Sequence, residues 1–518
     1  MKLPVNPFRP SGAGAPLGPE PRACGRPCNP EHRMATTSLY RISGLLVVAG
    51  ALLTSVSARA EYRLSPAFPN LTFSFATDIQ PSNDGSNRLF VVEKRGVIWV
   101  FTADVQSTVK TEFLNISSQV RNSGEAGMLG LAFHPNYKTN GLFYVFYVTQ
   151  YPYRTIIARY KASQNPNVAD PASASILIDS PQTTLYHNGG QLAFGPDGYL
   201  YIGMGDNFTS ATAQDLTDLP GSILRIDVDV PPPSGGSVAP KYEIPPDNPF
   251  ANNSSGYREE IYAYGFRNPW RFCIDKVSGE MWVSDVGEDT YEEIDIVEKG
   301  RNYGWPLMEG PDCYGAPCDP VGDDLVLPFY WYTHAEGVAV IGGYRYWGRR
   351  VPELGGYYIF ADYTGGEVWG LRYDGAAGPE RFDLVVDAPD LLTFGLGPTD
   401  DLLAASSDGY LYHLERIVTS APVSSPAVTR LLGNYPNPFN PTTTIRYHLA
   451  RAATVAIEIF GVDGSRAARY DLGARPAGDH RIEWNGRAAA GPAASGVYFC
   501  RLVVDGAAVD TIHMVLVQ

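Results

Sequence analysis

The stretch 185–207, L-Y-H-N-G-G-Q-L-A-F-G-P-D-G-Y-L-Y-I-G-M-G-D-N, limits the fold more than any other. Gly195-Pro196-Asp197-Gly198 is a turn sequence, with proline fixing one dihedral and glycine taking those that other residues resist. Its flanks, 191–194 and 199–204, are short, apolar and aromatic, as strands on a pleated surface are. The unit recurs. Strands 88–93 and 97–101 flank Lys94-Arg95-Gly96, and 130–133 and 142–149 flank His134-Pro135-Asn136-Tyr137. The series continues with 221–227, 260–264, 271–275, 280–284, 342–347, 357–361, 368–373, 402–405 and 409–413. Groups spaced by a few tens of residues match propeller blades, and no helical period of useful length lies between them. Radial repetition buries the edges of many short sheets. An all-β propeller is therefore expected over 61–417, in preference to one sandwich of that size. The 53 glycines, 42 prolines and 32 tyrosines agree.

The flanking segments read differently. Arg41, an apolar run over 42–56 and Ser57-Ala58-Arg59-Ala60 describe a secretory signal peptide over 34–60, cut after Ala60. The run is short for a membrane span. Residues 1–33, rich in Pro, Gly and Arg, are expected to be a misassigned upstream start, and Cys24 and Cys28 there lack further ligands for a zinc site. Export permits disulfides; Cys313 and Cys318, five apart in a Gly/Pro loop, suit one, while Cys273 and Cys500 are expected to be buried thiols. Residues 418–430 form a Pro/Ser/Ala linker. Alternating strands at 444–449, 454–460, 478–484, 496–504 and 511–517 make 431–518 a small immunoglobulin-like β-sandwich. A net charge of -15 argues against nucleic acid or an anionic membrane as partner.

Several polar clusters could carry chemistry. Antiparallel pairing of the opening hairpin brings His187 and Asp206 to one sheet edge. An imidazole beside a carboxylate has a fixed tautomer, which suits a general base; the structural alternative is a turn cap and a loop start. Arg267-Asn268, held ahead of Pro269, can fork onto an anionic or quinone oxygen or tie down loop carbonyls. The acidic stretch 285–295, read as an irregular loop, offers carboxylates and carbonyls to Ca²⁺ without the spacing of an EF-hand; a solvated acidic loop is the alternative. Glu125, before a strand, and His334, in a loop, are further candidates. No nucleophile elbow, Walker loop or dinucleotide glycine fingerprint is present.

In order, G-E-A-G-M-L-G-L-A-F-H-P-N-Y, H-N-G-G-Q-L-A-F-G-P-D-G-Y-L-Y-I-G-M-G-D, Y-G-F-R-N-P-W-R-F, D-V-G-E-D-T-Y-E-E-I-D, N-Y-G-W-P and I-G-G-Y-R-Y resemble the glucose/sorbosone dehydrogenase family over 64–417. That family includes soluble quinoprotein glucose dehydrogenase, bacterial aldose sugar dehydrogenases and the propeller of hedgehog-interacting protein. The resemblance implies a six-bladed β-propeller with an axial site that binds pyrroloquinoline quinone and Ca²⁺ and oxidises the anomeric carbon of an aldose sugar. It implies His187 as catalytic base, Asp206 as its orienting partner, and Arg267 and Asn268 as cofactor contacts. It places the cofactor calcium on the carbonyls of Gly287 and Glu288, a further calcium on Glu293 and the carbonyl of Tyr303, and Glu125 near the reacting sugar. The electron acceptor is unspecified.

The sequence departs from this pattern at the cofactor's carboxylates. The family adds a lysine and two arginines from the last blades, and here 361–366 and 390–395 carry no basic residue. This favours, as alternative, a non-catalytic carbohydrate- or protein-binding propeller like that of hedgehog-interacting protein; a calcium-dependent lactonase would need a cluster of axial carboxylates that cannot be placed. Finally, L-G-N-Y-P-N-P-F-N-P-T-T-T-I over 432–445 resembles the type IX secretion C-terminal sorting domain. It implies secretion machinery as partner and a secreted or outer-membrane-surface protein; a plain sandwich appendage is the alternative.

Overall fold

The computed structural model describes residues 62–517, apart from 231–240, 323, 365, 374–377, 386, 387, 389, 418–428, 436, 438, 489 and 490. The expected signal peptide, the segment 1–33 with Cys24 and Cys28, and most of the linker lie outside the described residues.

Six four-stranded antiparallel sheets follow one another along the chain. Blade 1 is Ala76–Pro81, Arg88–Glu93, Val97–Thr102 and Thr111–Asn115; blade 2 is Met128–Phe133, Leu142–Val148, Arg154–Ala162 and Ala169–Pro181. Blade 3 is Leu192–Phe194, Leu200–Met204, Ser222–Ile226 and Ile261–Tyr264. Blade 4 is Pro269–Ile274, Met281–Asp285, Tyr291–Val297 and Tyr330–Thr333; blade 5 is Val340–Arg345, Tyr358–Asp362, Val368–Arg372 and Glu380–Val385. Blade 6 is Leu391–Leu396, Leu402–Ser406 and Leu411–Arg416, completed by the N-terminal strand Tyr62–Pro66, which pairs with Leu411–Arg416. The first strands of blades 1 and 6 pack together, as do those of 4 and 5 and of 5 and 6, which closes a six-bladed ring. Glycine permits the approach of these inner strands: a Cβ on Gly395 of blade 6 would collide with the carbonyl of Ile79 of blade 1.

The core is six wedges between neighbouring blades. Phe90, Phe113 and Phe143 pack between blades 1 and 2, Leu129, Ile202 and Leu224 between 2 and 3, and Ile223, Phe272 and Val283 between 3 and 4. Trp282, Tyr358 and Phe360 fill the next, Ile359, Phe394 and Leu414 the fifth, and Leu89, Leu403 and Leu411 the sixth. Alternation along each strand serves a wedge on either side, so few positions in the inner strands remain polar.

One of these few is Arg271, on the inner strand of blade 4. Its Nε donates to Thr393 Oγ1 at 3.1 Å, its Nη1 to the Trp270 carbonyl at 2.7 Å, and its Nη2 to the carbonyls of Leu129, at 3.0 Å, and Thr77. A single guanidinium thus ties blades 4, 6, 1 and 2. Burial pushes it down to about 10, with buried Asp78 opposing.

The strand readings hold for the second and third strands of most blades. The structure corrects the acidic stretch: Tyr291–Val297 is the third strand of blade 4. Only 286–290 is the connecting loop, so Glu293 and Asp295 project from a strand interior. Cys313 and Cys318 form a disulfide, and Cys273 and Cys500 are buried free thiols.

The C-terminal region is a sandwich. One sheet is Arg430–Tyr435, Thr443–Leu449 and Gly478–Trp484; the other is Arg466–Arg475, Ala453–Gly461, Gly496–Val504 and Ala507–Leu516. Ile457, Trp484, Cys500 and Leu502 lie between them. The N-P-F-N run pins the last strand: Phe439 is buried 5.4 Å from the Trp484 ring, and Asn437 Oδ1 accepts the Val515 amide at 2.7 Å.

Candidate functional site

The connections after each second and fourth strand gather at one end of the ring, and they carry every residue the sequence nominated there except Glu293 and Tyr303. His187 lies in the connection from blade 2 to blade 3, and Asp206 follows the second strand of blade 3. His187 Nδ1 is 2.7 Å from Asp206 Oδ1, the contact the hairpin predicted. An ionised carboxylate only accepts, so Nδ1 carries the proton and Nε2 keeps its lone pair. Among the described residues Nε2 has no hydrogen-bond partner. Asp206 is 1% exposed and further fixed by the Trp305 indole, which donates to Oδ2 at 2.8 Å, and by the Phe208 amide, which donates to Oδ1 at 2.8 Å. Glu125 stands here too, and its Oε2 accepts the His187 backbone amide at 2.8 Å. That bond holds the His187 backbone and leaves Glu125 beside the base.

Arg267 and Asn268 enter from the connection between blades 3 and 4. Both backbone amides donate to buried Asp285, at 2.8 and 2.6 Å, and Asn268 Oδ1 accepts the Gly189 amide at 2.9 Å, locking this turn to the His187 loop. The Arg267 guanidinium is already engaged, in part with a loop carbonyl as the alternative sequence reading has it. Its Nε and Nη2 both reach Glu288 Oε2, the former at 2.8 Å, and its Nη1 donates to the Val286 carbonyl at 2.9 Å. Glu288, nominated only for its carbonyl, brings a carboxylate that occupies the arginine.

The loop 286–290 is shaped from beneath. Glu309 Oε1 accepts the amides of Glu288, Asp289 and Thr290 at 2.9, 2.7 and 2.8 Å, and that of Tyr291 at 3.3 Å. These donors hold the Glu309 carboxyl below its ordinary value although burial opposes them. Glu292 Oε2 accepts the amides of Val340, at 2.9 Å, and Gly287, at 3.3 Å, while its Oε1 contacts His334 Nε2 at 3.0 Å. The Glu292 bond raises His334 against the effect of burial. His334 therefore braces the loop. Gly287 is required by space, since a Cβ there would overlap the Tyr291 carbonyl.

Below the loop, Asp285 pairs with Glu293 across adjacent strands, and Asp295 lies two residues further on the same face. All three are buried. Burial pushes Asp285 up to about 7, against the Arg267 and Asn268 amides, and Asp206 adds to the rise. Burial also raises Glu293 well above the usual range, with Asp295 and Asp285 adding repulsion; Asp295 is raised by burial and by Asp285. Asp295 Oδ2 has no hydrogen-bond partner among the described residues. No three His, Cys, Asp or Glu side chains among those residues converge to hold an ion alone. A cation at Glu293 would therefore take backbone carbonyls, such as that of Tyr303. The Tyr303 phenol is committed elsewhere, donating to the Ile296 carbonyl at 3.0 Å, with its ring stacked on Phe266.

Trp305 and Glu309 escaped the sequence reading. Both lie in the long excursion 298–329 between the third and fourth strands of blade 4, which returns to the site. Only the N-Y-G-W-P motif marked it.

The glucose / sorbosone dehydrogenase family model matches residues 74–412. The chain is 34% identical to the HIPL2 protein of Arabidopsis thaliana over 354 residues, 55% of this chain and 50% of that protein. It is 31% identical to the Hedgehog-interacting protein of Homo sapiens over 307 residues, 55% of this chain and 40% of that protein. The chain thus spans about half, or less, of the length of these relatives. The PQQ-bound aldose sugar dehydrogenase of Streptomyces coelicolor shares the fold, with a TM-score of 0.54, 24% identity and coverage of 69% of this chain and 98% of that one. With 339 consecutive residues matched and a closed propeller carrying the polar end described above, the chain belongs to the glucose / sorbosone dehydrogenase family.

Proposed function

We propose that the site is that of a secreted, quinoprotein-type aldose sugar dehydrogenase. The observation that carries this is the buried chain Trp305–Asp206–His187, ending in an imidazole nitrogen without a protein partner. Trp305 and Asp206 fix the ring and its tautomer. His187 Nε2 takes the proton from the anomeric hydroxyl of a bound aldose, and Asp206 stabilises the imidazolium that forms. Pyrroloquinoline quinone with Ca²⁺ would supply the two-electron acceptor that turns the sugar into its lactone.

The residues present fit the reacting edge of that group. Arg267 and Asn268 flank the base, and the carbonyls of Gly287 and Glu288 lie on a loop held rigid by Glu309. Glu293 and the Tyr303 carbonyl would hold a further cation, whose charge relieves the raised carboxyls. The fit is poorer at the opposite edge. The segments 361–366, at the end of the second strand of blade 5, and 390–395, which runs into the first strand of blade 6, carry no basic residue, and Arg267 is shared with Glu288. The same observation supports a second reading, a non-catalytic carbohydrate- or protein-binding propeller, in line with the overlap with Hedgehog-interacting protein.

Calorimetry with quinone and Ca²⁺, followed by dye reduction with a panel of aldoses, separates the two. Quinone binding and turnover lost in His187→Ala support the dehydrogenase. No quinone binding together with no reduction of dye by any sugar overturns it. Export and sorting are part of the proposal: a mature N-terminus at Glu61, and retention in the cell on deletion of 431–518, are the results it requires.

A further inference from the structure

Among the described residues, nine non-glycine positions have left-handed backbone. Six are Asn or Asp, which tolerate it. The other three are Phe75, His187 and Phe208, at φ 51°, 53° and 57°. All three bear rings, and all lie in connections at the end of the propeller that carries the site. For a side chain as bulky as phenylalanine this conformation is strained and persists only where its surroundings impose it.

At Phe208 the means of imposition are visible. Its amide is held by Asp206 Oδ1 at 2.8 Å, and the preceding Asn207 is held through Oδ1 by the Thr183 amide at 3.1 Å. The ring does not enter any wedge of the core. It is 57% exposed, edge-on to His187 with 4.9 Å between ring centres. Tyr186, 47% exposed, continues the row 6.0 Å from Phe208. The strained backbone at Phe208 thus presents its ring to solvent beside a polar base, and the Tyr186 ring lies next to it.

A pyranose has a polar rim and two faces of C–H bonds. The negative face of an aromatic ring attracts such C–H groups while the rim stays free to meet polar partners. The carboxylates of Glu125 and Asp206 stand at the base while Arg267 is paired with Glu288, so a neutral sugar meets less repulsion here than an acidic one. We infer that Phe208 and Tyr186 form a stacking platform for a neutral glycan of two or more residues: the reducing-end ring lies on Phe208 with its anomeric hydroxyl toward His187, and the next ring lies on Tyr186. The inference rests on the sugar reading above, but not on turnover.

The test uses the full chain with Ca²⁺ and titrates glucose, maltose and cellobiose by calorimetry and tryptophan fluorescence, with turnover where it occurs. A disaccharide should bind at least tenfold tighter than glucose. Phe208→Gly should weaken every sugar at least tenfold while keeping or raising Tm, because glycine relieves the strain; Phe208→Tyr should restore binding. Tyr186→Ala should weaken only the disaccharides. In turnover these losses should fall on KM more than on kcat. Equal disaccharide affinity in wild type and Phe208→Gly, or no sugar binding by wild type, overturns the platform. Binding that depends on Phe208 without any turnover overturns the dehydrogenase reading and leaves the platform standing.

Discussion

Arg267 and Arg271 lie four residues apart, both buried, yet they are held in opposite ways. Arg271 is closed: its donors end on two backbone carbonyls and a hydroxyl from three other blades and one carbonyl of its own. These partners cannot move without opening the ring. Arg267 is held by exchangeable contacts: its Nε and Nη2 share one carboxylate, Glu288, whose side chain is 33% exposed, and its Nη1 meets one carbonyl of the same loop, that of Val286. That carboxylate can be exchanged for an anionic ligand at little structural cost, since half-exposed pairs are worth ~1 kcal/mol or less. Burial alone therefore does not separate a structural arginine from one available to a ligand. The kind of acceptor does: backbone of other blades for Arg271, largely a side-chain carboxylate for Arg267.

The largest effect that tests this contrast is on stability. Arg271→Leu leaves Asp78 buried without its cation and strands several carbonyls, at a cost of about 3–5 kcal/mol, read from the denaturant midpoint. Arg267→Leu should cost about 1 kcal/mol. Equal costs would break the distinction. At the open end the expected effect is on chemistry: His187→Ala should lower kcat/KM by about 10²–10⁴-fold with Tm nearly unchanged.

The carboxylates behind Arg267 give a pH signature. A carboxyl whose value rises on folding binds more protons when folded. Its stability contribution is full below the unfolded value of about 4 and is lost as pH climbs through the folded value, about 7 for Asp285. Glu293 and Asp295 shift in the same direction. In chelator, Tm should therefore be lower at pH 8 than at pH 5, and Ca²⁺ should remove most of the difference. A Tm that is flat with pH in chelator would show that these groups are not strained by mutual repulsion. A modest effect belongs to Glu288→Gln, which frees Arg267 and should tighten quinone binding on the order of tenfold, ~1.4 kcal/mol, with stability almost unaltered.

Much of the ring was legible because its hairpins are local. Turns such as Gly195–Gly198 fix two strands at once, and His187 meets Asp206 through that hairpin alone. Outer strands such as Thr111–Asn115 and Glu380–Val385 escaped notice because one side meets solvent and their sequences look like loops. Tyr291–Val297 was misread for the opposite reason: its carboxylates suggest solvent, but Glu292, Glu293 and Asp295 point into the protein. The Glu288 ion pair and the Glu309 cradle depend on contacts between separate loops, which no local spacing encodes. In the sandwich, Asn437 and Phe439 of the N-Y-P-N-P-F-N-P run clamp the final strand.

The strand that completes blade 6 imposes a timetable on biosynthesis. Ser65 and Glu415 are hydrogen-bonded at 2.8 Å across 350 residues of sequence. At ~5–20 residues per second, the first partner waits on the order of tens of seconds for the second to be made. Blades 2 to 5 can stack as they emerge, but the wedge between blades 6 and 1 must form last, when Leu403 and Leu411 reach Leu89. A chain truncated before 411 keeps the strands of blades 1 to 5 but loses the strand that joins Tyr62–Pro66 to blade 6, which leaves unpaired edges that invite a second copy. The ring becomes a ring only after its synthesis is over.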